Sequence, residues 1–249
     1  MTPHRINGDR LWDSLMEMAK IGATDLGGSK RLAMSDLDQQ GRDLFSGWCR
    51  DAGFQVSSDR VGNMFVRREG RDPDLPPVVL GSHLDTQPTG GKFDGVFGVL
   101  AGLEVLRTLD DLGLETQCAI EVANWTNEEG SRFSPAMMGS GVFTGVFDLD
   151  ETRGATDIDG ITLGEELDRL GYSDCQPAKV CPFKAYLEAH IEQGPILFDK
   201  DIPIGVVTGG QGIRWYDVTI EGQEAHAGPT PMNLRRDALA PAIRLIDSV

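Results

Sequence analysis

The sequence predicts an α/β fold: a mostly parallel sheet flanked by helices, followed by the start of a second α+β domain. Three observations predict it. Short apolar runs at 77–80 and 118–123 have the composition of buried strands. Between them, Val96, Val99, Leu100, Leu103 and Leu106 recur at helical spacing over 95–109. A strand, a crossover helix and a second strand make a parallel pair, because a tight hairpin cannot connect strands running the same way. After Gly212 the register resets to a strand at 214–221 and a helix at 235–249, and one strand with one helix cannot bury a core of its own. The predicted division is therefore 1–211, a first domain, and 212–249, the first strand and helix of a second one.

The elements follow in order. Trp12, Leu15, Met16 and Ala19 at i, i+3, i+4 and i+7 mark a first amphipathic helix, broken by Gly22 and the Gly27-Gly28 pair. Ser35 is placed as the N-cap of a second helix with Leu37, Gly41, Leu44, Phe45 and Trp48 on one face, ended by Gly53. Segments 54–56 and 63–67 alternate and predict a hairpin. After the strand–helix–strand unit, 127–145 is polar and Gly-rich, a loop with some helix, and 164–170 is helical. A third buried strand is predicted at 184–191 and a fourth at 204–208. The last helix carries Leu239, Ile243 and Ile246 on one face.

Bulk composition narrows the function classes. The 249 residues are 40% hydrophobic and 25% charged, ordinary values for a globular chain. A net charge of −16 and a pI near 4.6 argue against nucleic acid and anionic membranes as partners. The four cysteines, Cys49, Cys118, Cys175 and Cys181, form no C-x-x-C pair and no disulfide framework, which predicts free thiols in a reducing compartment. The N-terminal residues lack a signal-peptide core, and no run reaches the length of a membrane span, so the expected location is the cytoplasm.

Four places put metal-ligand residue types at predicted strand or helix ends. His83 and Asp85 follow the strand at 77–80; an imidazole could bind metal through one nitrogen while the carboxylate accepts the other N–H. A hydrogen-bonded turn histidine would look the same. Asp94 stands at the start of the helix at 95–109, where it is either a cap or a carboxylate able to bridge two cations. Glu128 and Glu129 follow the strand at 118–123, at the carboxyl end where open α/β sheets place their sites; adjacent glutamates are otherwise solvated surface. His190 ends the predicted strand at 184–191, as a ligand or as a satisfied core histidine. Two imidazoles with several carboxylates suit zinc or a similar divalent ion.

The stretches GSHLDTQPTGGKFDGVFGVLAGLEVL, VANWTNEEGSRF, LEAHIEQGPIL and VVTGGQGIRW resemble the amidase/hydantoinase/carbamoylase family of zinc metallopeptidases. This family includes N-carbamoyl-L-amino acid hydrolases, β-ureidopropionases and allantoate amidohydrolases. The resemblance runs from about Trp12 almost to the end of the chain. It implies a zinc-exopeptidase-like fold, with 1–211 as a metal-binding catalytic domain lacking its last part and 212–249 as the first strand and helix of a dimerisation or lid domain. It implies two divalent ions, zinc or else manganese, nickel or cobalt. It implies His83 and His190 on one ion, Asp94 bridging, and Glu129 on the second. Glu128 corresponds to the general base and Asp85 to the partner of His83. Gln193 corresponds to a substrate-binding glutamine. His226 corresponds to a histidine that reaches the other subunit of a homodimer and polarises the scissile carbonyl. The implied reaction is hydrolysis of the C–N bond of a small N-carbamoyl amino acid, allantoate or similar ureido compound.

One departure from the family pattern bears on activity. Family members continue past this length, with a fifth metal ligand, a histidine, and with an asparagine and an arginine that grip the substrate carboxylate. No histidine follows His226 here. The expectation is a second ion held only by Asp94 and Glu129. The alternative reading is a truncated, catalytically silent chain that keeps partial metal binding or dimerisation.

Overall fold

Asn7 and Ser35 begin the first two helices as sequence chemistry requires. The Asn7 side chain accepts the backbone N–H of Arg10 at the start of α1 (Gly8–Met18), and Ser35 accepts that of Asp38 at the start of α2 (Asp36–Asp51). The structure is a computed structural model that describes residues 4–177, 181–214 and 216–248. Trp215, inside the predicted strand at 214–221, and Val249, the predicted helix end, lie outside the described residues. The chain divides into two compact units, Met1–Gln193 and Gly194–Val249.

The first unit carries a five-stranded sheet: β1 (Gln55–Ser58), β2 (Met64–Arg68), β3 (Val78–Ser82), β4 (Ile120–Asn124) and β5 (Ala185–Leu187), in the order β1-β2-β4-β3-β5. β3 runs parallel to β4 and to β5, joined to β4 through α3 (Val96–Asp111) as the strand–helix–strand reading requires. The predicted hairpin β1–β2 forms, and β2 pairs antiparallel with β4. The sheet is therefore mixed. The hairpin attaches on the far side of β4, and a hairpin necessarily brings an antiparallel strand with it.

Strand alternation sorts side chains onto the two faces. Met64, Val66 and Val122 face one side, where Leu11, Leu15 and Met18 of α1, Phe45 and Cys49 of α2 and Val96, Val99, Leu100, Leu103 and Leu106 of α3 close the main core. Phe65, Val79 and Ala123 face the other side against Trp125, Phe143 and Phe183. A third cluster packs Met34, Phe133 and Met138 with Leu163 and Leu167 of α6 (Leu163–Arg169). Two shorter helices, α4 (Met138–Phe143) and α5 (Leu149–Arg153), precede α6. The first of them lies inside the segment 127–145.

Buried charge braces the helices. Glu104 on α3 accepts Nε and Nη2 of Arg10 of α1, both at 2.8 Å, together with the backbone N–H of Asn7 at 3.0 Å. Within α2, Arg42 and Asp38 form a 2.8 Å pair with both side chains essentially inaccessible, and Arg42 also donates to the carbonyl of Gly62. A buried pair is tolerable only when its remaining donors find acceptors.

Two strand expectations change. The predicted buried strand at 184–191 contracts to β5, an exposed edge strand paired on one side only. The second unit contains α7 (Ile196–Asp199), a 3-10 turn at Met232–Leu234 and α8 (Leu239–Asp247), and no strand among its described residues at 204–208 or 214–221. A strand is stable only against a neighbour, and these segments have no pairing partner among the described residues. Among the described residues no helix is long and apolar enough to cross a membrane. All four cysteines are free.

Candidate metal centre

The carboxyl ends of the parallel strands build the site. His83 leaves the end of β3 and is buried, while Leu84 turns into the main core. The Nδ1 of His83 faces the backbone carbonyl of Asp85 at 2.8 Å. A carbonyl only accepts, so Nδ1 carries the proton and Nε2 presents the ring's lone pair. His190, three residues beyond the end of β5, repeats the arrangement with Nδ1 2.9 Å from the carbonyl of Ile191. Backbone carbonyls thus aim both Nε2 atoms outward from their own loops.

Asp94 completes the group. Its Oδ1 lies 3.3 Å from Nε2 of His190, and its Oδ2 accepts from the Gln193 amide at 2.7 Å. One ligand atom each from His83, Asp94 and His190 lies within 4.8 Å of the others. Gly95 makes the approach possible. Its φ of +66° is left-handed, and a Cβ there would stand 2.4 Å from Nε2 and Cε1 of His83. Only glycine lets α3 begin directly beneath the imidazole.

The loop after β4 delivers two carboxylates. Oε2 of Glu128 lies 3.3 Å from Nε2 of His83. Glu129 turns Oε2 to the Gln87 amide at 2.9 Å, while its Oε1 is buried without a hydrogen-bond partner. Burial pushes the Glu128 carboxyl upward, and the neighbouring Glu129, Glu188 and Asp94 carboxylates push the same way against the opposing effect of His83. Burial opposes a charge on His83, but Asp85 and Glu128 outweigh it and raise its pKa.

The residues present fit a divalent cation. Two imidazole lone pairs and a carboxylate converge, further carboxylates crowd them, and a buried carboxylate oxygen lacks a donor. Glu129 falls outside the three-residue group, with one oxygen committed to Gln87.

One local expectation changes. The Asp85 carboxylate does not take the ring N–H of His83; its backbone carbonyl does. The carboxylate instead accepts the backbone N–H groups of Glu128 and Glu129, at 3.2 and 3.3 Å. The chain turns after His83, which folds the Asp85 carbonyl back onto the ring and sends the side chain to the neighbouring loop. Burial pushes the Asp85 carboxyl upward. His226 belongs to the second unit, where it is exposed and its Nδ1 accepts the backbone N–H of Gly228 at 3.1 Å. Gln87 was not among the expected site residues. Its signal was alternation, since His83, Asp85 and Gln87 are spaced by two.

Comparison with known proteins identifies the family. The model of peptidase family M20/M25/M40 matches residues 79–248. The chain is 52% identical to the N-carbamoyl-L-amino-acid amidohydrolase of Rhizobium meliloti, over 98% of this chain and 59% of that protein. It is 42% identical to the N-carbamoyl-L-amino acid amidohydrolase of Geobacillus stearothermophilus, over 98% of this chain and 60% of that one. Among solved structures, an amidase of the hydantoinase/carbamoylase family from Burkholderia multivorans superposes with a TM-score of 0.90 at 59% identity, covering 99% of this chain and 60% of that one. The chain thus spans about 60% of the length of the curated relatives it matches. The family match covers well over half of the sequence and includes every residue of the centre, so the chain belongs to peptidase family M20/M25/M40, alongside its hydantoinase/carbamoylase amidases.

Proposed function

We propose that the protein is a metal-dependent amidohydrolase that cleaves the C–N bond of an N-carbamoyl amino acid, allantoate or a similar ureido compound. The observation that carries this reading is the convergence of His83, Asp94 and His190 on one point with the Glu128 carboxylate beside it. His83, Asp94 and His190 would hold one divalent ion, and Asp94 with Glu129 a second; zinc, manganese, nickel and cobalt all suit this donor set. The ions supply Lewis acidity, which makes water acidic enough to attack at neutral pH and draws charge from the scissile carbonyl.

The chain's own residues do the rest. Glu128 takes the proton of the attacking water and returns it to the leaving nitrogen, a role helped by burial, which raises its carboxyl pKa. Asp85 fixes the backbone of both glutamates, so the base is held before substrate arrives. Gln193, now on Asp94, would exchange that bond for one to substrate. His226, in the proposed lid domain 212–249, would polarise the carbonyl across a homodimer. An N-carbamoyl substrate then yields the free amino acid, ammonia and carbon dioxide.

A second reading, that the 249-residue chain alone binds one ion and turns nothing over, is favoured by one observation. Only His83, Asp94 and His190 form a three-ligand group among the described residues. One experiment separates the two. The protein is stripped with a chelator, reloaded with each of the four metals, and assayed for ammonia release from N-carbamoyl-L-amino acids and allantoate, with dipeptides and N-acyl amino acids as controls. Metal-dependent release from the ureido compounds alone supports the first reading. Bound metal without turnover supports the second, and preference for dipeptides overturns the proposed substrate class.

A further inference from the structure

The two histidines of the centre are unequally supported. His83 is buried at the end of β3, a strand paired on both sides. His190 follows β5, whose ladder to β3 pairs only Val78–Leu80 with Ala185–Leu187. Each histidine stands three residues beyond the last pair, Leu80 with Leu187, so the imidazoles are in register, with ring centroids 6.3 Å apart. Beyond that pair nothing in the β3–β5 ladder holds the strand ends together. The His190 side chain is 32% exposed, against 3% for His83, so packing does little to fix it.

One side chain spans the gap. Oε1 of Glu188 accepts the hydroxyl of Ser82, the residue before His83, at 2.6 Å. Its Oε2 accepts the hydroxyl of Tyr186 at 2.9 Å, and the Tyr186 oxygen accepts the indole N–H of Trp125, just after β4, also at 2.9 Å. Tyr186, Glu188 and His190 alternate along the chain. Burial pushes the Tyr186 hydroxyl upward, so it stays protonated and donates at neutral pH. The ends of β3, β4 and β5 are thereby joined through a single carboxylate directly below the metal ligands.

We infer that Glu188 is a positioning residue that holds His190 opposite His83, joining the exposed edge strand to the buried one through Ser82, Tyr186 and Trp125. The inference rests on the metal reading of the centre, and it differs from the roles of Glu128 and Glu129 because the two Glu188 oxygens are engaged by Ser82 and Tyr186. It sets the distance between two ligands that lie on different strands. Groups that orient metal ligands from behind typically contribute roughly 10- to 100-fold in metal affinity.

The test compares Glu188→Ala, Glu188→Gln and Tyr186→Phe with the wild type in zinc titrations of the metal-free protein, alongside urea unfolding and the histidine ring resonances of the metal-free state. Glu188→Ala is expected to weaken zinc binding 10- to 100-fold and to move or broaden the His190 resonance, leaving that of His83 in place. Glu188→Gln keeps an acceptor for Ser82 and should recover most of the affinity. Tyr186→Phe, at a half-exposed position that tolerates the change, should fall between them. Unchanged affinity and an unchanged His190 resonance in Glu188→Ala would overturn the inference, as would losses that simply track unfolding stability across the three variants. Failure of the wild type to bind zinc would instead overturn the metal reading, and the metal-free His190 resonance still decides the role of Glu188.

Discussion

At the scale of single residues the centre depends on two atoms' worth of space and one proton acceptor. Gly95 is required twice over, by its left-handed φ and by the His83 ring 2.4 Å from where a Cβ would sit. Gly95→Ala should cost about 1–3 kcal/mol from the backbone alone. It should also lower metal affinity on the order of 10- to 100-fold by displacing His83. Urea unfolding and a zinc titration check the two effects separately, and wild-type affinity would mean that α3 can shift without moving the ligand. Glu128 is expected to behave differently. Glu128→Gln preserves size and backbone contacts but cannot accept a proton, so turnover of a carbamoyl amino acid should fall by about 10²–10⁴-fold while bound metal is unchanged. Retained turnover would remove Glu128 from the reaction. His83, Asp94 and His190 were legible in the sequence because each adjoins a strand or helix end. Gln87 and Glu188 were not, because a polar residue near a strand end reads as surface until its partner on another strand is known.

At the scale of elements, periodicity decided what could be read. α1, α2, α3 and the β1–β2 hairpin carry 3.6- or 2-residue patterns, β3 and β4 are short apolar runs, and all formed close to their predicted places. The segment 127–145 carries no such pattern, so α4 was foreseen only as some helix within a loop, without bounds. The runs at 184–191 and 204–208 are apolar enough for strands, but β pairing depends on a neighbour that composition cannot name. Helices hide charge that patterning cannot place. The Asp38–Arg42 pair lies on the buried side of α2, where a polar i, i+4 pair would be read as solvated surface. Asp38→Ala leaves the Arg42 guanidinium buried without its carboxylate and should cost about 3–5 kcal/mol in urea unfolding. A loss below about 1 kcal/mol, the value typical of an exposed pair, would show that Arg42 escapes to solvent.

At the scale of the whole molecule, a few of the 39 acidic residues gather at one place. Asp94, Glu128 and Glu129 crowd the two imidazoles, and a divalent cation is the neutralising partner that this arrangement suits. Thiol reactivity provides a test of the fold that is independent of the metal. Cys181 is exposed, whereas Cys49 lies in the main core with its thiol pushed up to about 12 by burial. Native protein should therefore lose Cys181 rapidly to an alkylating reagent at pH 8, with Cys49 reacting only after unfolding. Raising the pH to 10 should not expose Cys49, since its thiolate forms only as pH approaches the raised value; prompt labelling there would contradict the packing of α2. The central claim is the metal centre itself, and calorimetric titration of the metal-free protein with zinc tests it most directly, comparing the wild type with a His83→Ala, His190→Ala double variant. Tight uptake of zinc by the wild type, with affinity at least about 100-fold weaker in the double variant, is the result expected from two lost ligands. Equal affinity and stoichiometry in both proteins, or no uptake by the wild type, would contradict it.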